Sequence, residues 1–168
     1  MARSNKSSNS NSNNQTFLLW LGLSGLLLAI DQLSKILAKG NLTEGIPNPV
    51  TSFLNWTLVY NPGAAFSFLA QAGGWQRWFF TGLGIAAALF ITWLIRKNGQ
   101  QTLFCLAMSL ILSGAIGNVI DRPAYGAVVD FIDVYYLHWH WPAFNIADSA
   151  ITLGVILLIF DEIKRVNK

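Results

Sequence analysis

The chain has 168 residues, of which 53% are hydrophobic and only 11% charged; a soluble domain usually carries about 25% charged residues, so lipid is its expected solvent. Its net charge of +3 does not mark a nucleic-acid partner, because the basic residues stand at the ends of apolar runs rather than in a patch interleaved with aromatics.

In chain order, residues 1–15 are Ser/Asn-rich and nearly free of apolar side chains, which predicts a disordered polar tail. Residues 16–168 read as a single membrane-embedded domain. Apolar stretches near 16–37, 75–95, 102–121 and 142–160 each approach or exceed the roughly 20 residues that cross a bilayer core as a helix. The expected fold is therefore mostly α, with four transmembrane helices. The first stretch is expected to be an uncleaved membrane helix: it runs on through Asp31 and Lys35 with no small-residue cleavage site, and three more stretches follow. Between the first two, Val50–Tyr60 is rich in β-branched and aromatic residues and predicts short strands. Asn61-Pro62-Gly63 supplies a turn directly after them. The single cysteine, Cys105, lies inside the third stretch and excludes a disulfide framework; it reads as a small buried apolar residue.

Lys and Arg at the span ends set the orientation. Arg3, Lys6, Arg96, Lys97, Lys164, Arg165 and Lys168 fall on one side, and Lys35, Lys39, Arg77 and Arg122 on the other. The richer side is expected to be cytoplasmic, with both termini inside and the segments 38–74 and 122–141 on the outer face. Trp56, Tyr60, Trp75, Trp78, Tyr125, Tyr135, Tyr136, Trp139 and Trp141 crowd those outer ends, as an interfacial belt does.

Polar groups that lipid penalises are the informative feature. A carboxylate at mid-membrane costs roughly 2.5–3.5 kcal/mol on insertion scales, so each needs a partner, a cavity or a task. Asp31 and Lys35 lie one turn apart near the outer end of the first span and read as a local ion pair. Asn118 and Asp121 close the third span, with Asp121 and Arg122 read as an interfacial pair. Asn145 and Asp148 open the fourth, and Asp148 is expected about six residues inside it, roughly 9 Å deep at 1.5 Å per residue. Asn118 and Asn145 suit either interhelical hydrogen bonding or a substrate. Gly114 and Gly117 permit close helix approach, Asp133 reads as a solvated loop acid, and His138 and His140 lack a third metal ligand. All these acids and amides converge at one depth beneath an aromatic rim, which describes a pocket.

Within it, Asp148 has apolar neighbours and no basic residue one turn away, and Asp130 is presented from Val128, Val129 and Phe131. Two poorly solvated carboxyls tend to share one proton, the arrangement by which aspartic proteases activate water. The residues alone leave open which of Asp121, Asp130 and Asp133 partners Asp148. A transporter would spread its polar groups through the membrane depth. A zinc-dependent intramembrane protease needs a His-Glu-x-x-His helix, which is absent.

Five blocks decide between these readings: Asp31-Gln32-Leu33-Ser34-Lys35, the run Asn61–Ser67 (NPGAAFS), the run Gly117–Arg122 (GNVIDR), Val128-Val129-Asp130-Phe131 and Phe144-Asn145-Ile146-Ala147-Asp148. In this order they resemble the signature blocks of lipoprotein signal peptidases (signal peptidase II), over about residues 17–160. Ser113 departs from the glycine the family often carries there, which touches helix packing more than chemistry. The resemblance implies four transmembrane helices with a small extracytoplasmic β-cradle, and an aspartyl peptidase without metal or other cofactor. Its catalytic pair would be Asp130 and Asp148. Asn61, Asn118, Arg122 and Asn145 would shape the substrate site, and Asp31, Lys35 and Asp121 would support it. The implied reaction removes the signal peptide of a diacylglyceryl-modified prolipoprotein just before its lipidated cysteine, at the outer face of the bacterial inner membrane. Expected partners are that substrate and membrane lipid, with the chain acting as a monomer; the segment before the second span is the candidate for closing over the substrate.

Overall fold

The computed structural model describes residues 4–63 and 68–166, with side chains from residue 13 onward. The described chain forms α1 (Ser4–Asn41), β1 (Asn48–Thr51), β2 (Leu54–Asn61), α2 (Trp75–Asn98), α3 (Thr102–Tyr125), β3 (Val128–Tyr136), β4 (Trp139–His140) and α4 (Ile146–Val166). Three helices, α1 from Asn13, α2 and α3, are long and apolar enough to cross a membrane. In α4, Asp148, Asp161 and Glu162 confine the uncharged stretch to residues 149–160.

Side chains are sorted inside out relative to a soluble protein. Leu19, Leu26, Leu83, Leu89, Phe90, Ile159 and Phe160 are exposed, whereas Asp31, Lys35, Asp121, Asp130 and Asn145 are each at most 2% exposed. That pattern fits a lipid solvent, where apolar faces need no cover and polar groups must find one another. Half of the apolar window of α3 is buried, against 11% in α1 and α2, so α3 is the central helix. It meets α4 closely because Gly114 lies against the Ala147 carbonyl and Gly154 against the Ala107 carbonyl; any Cβ there would force the helices apart.

The sheet settles how the helices alternate. β1 and β2 come from the segment after α1, β3 and β4 from the segment after α3, and the antiparallel order is β1-β2-β3-β4. The β2–β3 ladder aligns Val59 with Asp130, Tyr60 with Val129 and Asn61 with Val128. One sheet built from both segments puts the C-termini of α1 and α3 and the N-termini of α2 and α4 at a single end of the bundle. The apolar cluster of Ile91, Ile95, Cys105, Met108 and Leu112, packed by Phe17 and Trp20, fills the opposite end.

Several limits differ from the sequence expectation. Helix α1 already includes Ser4, where a disordered tail over 1–15 is predicted; extending a formed helix costs far less than nucleating one, and Gln100 Nε2 reaches Asn13 Oδ1 at 3.0 Å. Residues 1–3 lie outside the described chain. α3 continues through Pro123 to Tyr125, where Gly126 (φ 82°) caps it by donating its N–H to the Arg122 carbonyl at 2.8 Å. α4 begins only at Ile146 because Phe144 is committed to the sheet, exchanging backbone hydrogen bonds with Ile132. After β2, the Gly63 N–H bonds Asn61 Oδ1 at 3.0 Å, closing the expected turn. The rest of that motif, residues 64–67, lies outside the described chain.

Candidate active site

At the sheet end of the bundle, Lys35 of α1 is the buried hub. Its Nζ lies 2.9 Å from Asp31 Oδ2, 2.8 Å from Asp121 Oδ2 and 3.1 Å from Asn118 Oδ1. An ammonium has three donors, and all three are spent. Gly117 admits the Asp31 carboxylate: a Cβ there would stand 2.5 Å from Asp31 Oδ2. Both acids also hold backbone. Asp31 Oδ1 accepts from Ala147 N at 2.8 Å, and Asp121 Oδ2 accepts from Val129 N at 3.2 Å. Each amide belongs to the residue just before Asp148 or Asp130. Removing one member of such a buried charge cluster costs about 3–5 kcal/mol, because the remaining charges lose their compensation.

The spacing of Asn145 and Asp148 has a local cause. Asp148 N donates to Asn145 Oδ1 at 2.9 Å, and Asn145 N donates to Asp148 Oδ2 at 3.2 Å. This is a reciprocal capping box that starts α4 and satisfies two otherwise orphaned amides. Asp148 therefore stands in the first turn of α4 rather than the expected six residues deep, because the sheet holds Phe144 and delays the helix. Its other oxygen, Oδ1, accepts from Asn118 Nδ2 at 2.8 Å.

Asn145 also joins the two acids singled out by the sequence. Its Nδ2 donates to Asp130 Oδ1 at 2.8 Å, to the Val129 carbonyl at 3.1 Å and to Asn118 Oδ1 at 3.3 Å. Asp130 and Asp148 thus bond to the same residue, one through its side chain and one through its backbone. Burial pushes the Asp130 carboxyl up to about 8, and the charge of Asp148 pushes it the same way. Hydrogen bonds from Asn61 and Asn145 and the charge of Lys35 only partly oppose this. At neutral pH Asp130 mostly keeps its proton.

Two cavities meet at Asp148. One of about 360 Å³ runs between α2, α3 and α4, lined by Phe80, Leu83, Ala115, Val119, Arg122 and Ile151 among others. The second, about 490 Å³, opens toward Trp141, Pro142, Phe144, Leu153 and Ile156. Asn61, Asp148 and Thr152 line both. Their walls are largely apolar, with the polar groups gathered at the junction. Asp130 lines neither cavity and sits behind Asn61 and Asn145.

Asn61, Asn118, Arg122, Asn145, Asp31, Lys35, Asp121, Asp130 and Asp148 all gather in this one region. Two local readings, of Asp121 and Asp133, differ from the structure, and a third is extended by it. Asp121 pairs with Lys35, not with Arg122: neighbours on a helix diverge by about 100°, and Arg122 instead reaches the Asn118 carbonyl at 2.9 Å and the Gly63 carbonyl at 3.2 Å. The expected Asp31–Lys35 pair forms, and Lys35 in addition ties α1 to α3 through Asp121. Asp133 is no solvated loop acid: it is 6% exposed on β3, held by Asn55 at 2.9 Å, Thr57 at 3.3 Å and His140 at 2.8 Å. Burial opposes its charge, yet these bonds together bring its carboxyl below the usual value. Gln32, inside the Asp31–Lys35 block, joins the cluster without a sequence signal of its own; its Nε2 donates to Asp31 Oδ2 at 3.1 Å and Asp121 Oδ1 at 3.2 Å. Thr152, one turn after Asp148 on the same face, lines both cavities and is likewise unmarked in the sequence. Among the described residues no group of three or more His, Cys, Asp and Glu side chains is arranged to hold a metal ion.

The pattern of the family described as signal peptidase (SPase) II matches residues 23–164. This chain belongs to the signal peptidase II family. It is therefore a peptidase, a hydrolase of peptide bonds. The lipoprotein signal peptidase of Cupriavidus pinatubonensis is 56% identical over 99% of this chain and 95% of that protein. That of Polynucleobacter necessarius is 57% identical over 89% of this chain and 92% of its own length. Among solved structures, a bacterial membrane enzyme determined by the in meso method at 2.3 Å resolution superposes with a TM-score of 0.77 at 33% identity, covering 87% of this chain and 88% of the other. A second, at 1.9 Å resolution, gives a TM-score of 0.73 at 33% identity over 84% and 90% of the two chains. With its apolar helices, this signal peptidase II is a bacterial membrane protein.

Proposed function

We propose that this signal peptidase II is an aspartyl endopeptidase that removes the signal peptide of diacylglyceryl-modified prolipoproteins, cutting just before the lipidated cysteine. The observation that carries the reading is the joining of Asp130 and Asp148 through Asn145, at the junction of two apolar cavities. The names of the relatives supply the substrate class, and apolar walls beside a polar junction suit a peptide bond attached to lipid.

The chemistry follows from the two environments. Asp148 accepts hydrogen bonds at both oxygens and stands at the N-terminus of α4, where the helix dipole favours an anion. Asp130 retains its proton at neutral pH. Asp148 takes a proton from water while the water oxygen bonds to the scissile carbonyl carbon. Asp130 passes its proton to the carbonyl oxygen, giving a neutral tetrahedral diol. Asp148 then hands its proton to the departing nitrogen as the C–N bond breaks. One diol hydroxyl returns a proton to Asp130, leaving a carboxylic acid and an amine. In this reading the scissile carbonyl takes the place of the Asn61 amide beside Asp130.

α4 serves as the fourth span: its 21 residues reach roughly 31 Å at 1.5 Å per residue, and its exposed Ile156, Ile159 and Phe160 face lipid. Lys and Arg asymmetry supports a topology with both termini in the cytoplasm and the site at the outer face of the inner membrane. The enzyme acts as a monomer without a cofactor. Purified enzyme incubated with diacylglyceryl-modified and unmodified prolipoprotein tests the substrate directly. Only the modified form is expected to shift on a gel; equal cutting of both contradicts the lipid requirement.

A further inference from the structure

We propose that Lys35 is a positioning residue that fixes the side-chain amide of Asn118 and so holds Asp148 as the ionised, proton-accepting member of the catalytic pair. The proposal rests on the two-carboxylate reading above and adds a task for a residue that touches neither carboxyl of the pair.

An ammonium donates three hydrogen bonds and accepts none. Two of the donors of Lys35 go to Asp31 and Asp121, and a purely structural bridge between α1 and α3 needs no more than these. The third goes to Asn118 Oδ1 at 3.1 Å, and Asn145 Nδ2 approaches the same oxygen at 3.3 Å. With two donors aimed at it, that oxygen cannot be exchanged for the amide nitrogen. The NH₂ of Asn118 is left facing Asp148 Oδ1 at 2.8 Å, and the capping box supplies a donor to Oδ2. A carboxyl with donors at both oxygens is favoured as the anion.

Other charges face Asp148, but they are arranged differently. From α3, Arg122 is electrostatically coupled to it, while its guanidinium bonds the carbonyls of Asn118 and Gly63. Asp121 is turned to Lys35, and Asp31 of α1 holds Ala147 N. From β3 comes Asp130, bonded to Asn145, and from β2 only the neutral Asn61. Asn118 is therefore the donor side chain that links Asp148 to a buried cation through one amide.

The test uses the whole purified enzyme with diacylglyceryl-modified prolipoprotein, following kcat and KM across pH. Lys35→Met combined with Asp121→Asn keeps the cluster at one negative charge, and an asparagine oxygen can still accept from Val129 N. The acid limb of the kcat profile is expected to move to higher pH by about one unit, a roughly tenfold loss of rate on the acid side, with KM little changed. Asn118→Leu keeps the three charges of the ion cluster and breaks the same link at its middle, so an unmoved limb there still overturns the proposal if the first variant does not fold; it is expected to move the limb equally. Combining all three substitutions is expected to move it no further, since effects through one path do not add. An unmoved limb in either folded variant, even with lower melting temperature or yield, overturns the proposal. So does a triple variant whose shift is the sum of the two. Asp148→Asn is measured alongside: residual turnover there removes the two-carboxylate reading itself. An inactive Asp148→Asn with an unmoved limb in the Lys35 variant removes only the role of Lys35.

Discussion

Asp130 and Asp148 differ in their hydrogen-bond partners, and in the proposed reading that difference divides their tasks. Asp130 is buried behind two amides and holds its proton to about pH 8. If the protonated form is the working one, kcat falls as pH rises through about 8. The hydrogen bond from Asn61 favours the Asp130 anion; Asn61→Leu removes it, so the alkaline limb is expected to move further up. A pH–rate series on the variant checks this, and a limb displaced downward contradicts it. Gly117→Ala is expected to disturb the same layer from another side, since the new methyl meets Asp31 Oδ2 and stands 3.3 Å from Ala147 Cβ. Crowding of this kind costs about 1–3 kcal/mol, readable as a lower melting temperature together with reduced turnover. Asp148, Asn145 and Asn118 were legible in the sequence because each stands out against an apolar run. Asp133 was not: Asn55 and Thr57, which bury and satisfy it, lie 78 and 76 residues away, and no local signal points to them.

Among the elements, the β2–β3 ladder does most to assemble the site, because it ties the segment after α1 to the segment carrying Asp130. Asp133 anchors that ladder through Asn55 and Thr57, and β4 through His140. Its carboxyl is depressed in the folded chain, so its contribution is present above the ordinary aspartate range and lost as pH falls through the lowered value. Asp133→Ala strands these donors and is expected to cost about 1–3 kcal/mol. Thermal unfolding in detergent should show the loss near neutral pH and a smaller difference from the parent in acid; equal stability at neutral pH contradicts the anchoring role. Apolar runs announced all four helices, and β-branched and aromatic residues announced the strands near 50–60. The starting point of α4 was hidden, since it depends on Phe144 being held by Ile132, a partner in another element. That single pairing moves Asp148 from mid-helix to the first turn, where its side chain becomes half of a cap.

At the scale of the molecule, one end of the bundle is an apolar plug around Ile95 and Leu112 and the other is a polar layer roofed by a sheet. Both connections that carry site residues leave the bundle at the sheet end, so the helices must alternate in direction. Cysteines introduced as Gln100→Cys and Glu162→Cys are expected to be labelled from the cytoplasmic side, and Phe53→Cys from the outer side; the opposite pattern contradicts the orientation. That expected orientation rests on the charge asymmetry of the sequence, whereas the convergence of α1, α3, β3 and α4 around Lys35 and its partners required the folded chain. The most direct measurement is single-turnover cleavage of diacylglyceryl-modified prolipoprotein by purified, folded Asp130→Asn and Asp148→Asn. Each is expected to lose at least about a thousandfold in rate while binding substrate with little change; near-parent cleavage by either variant contradicts the paired-carboxyl mechanism.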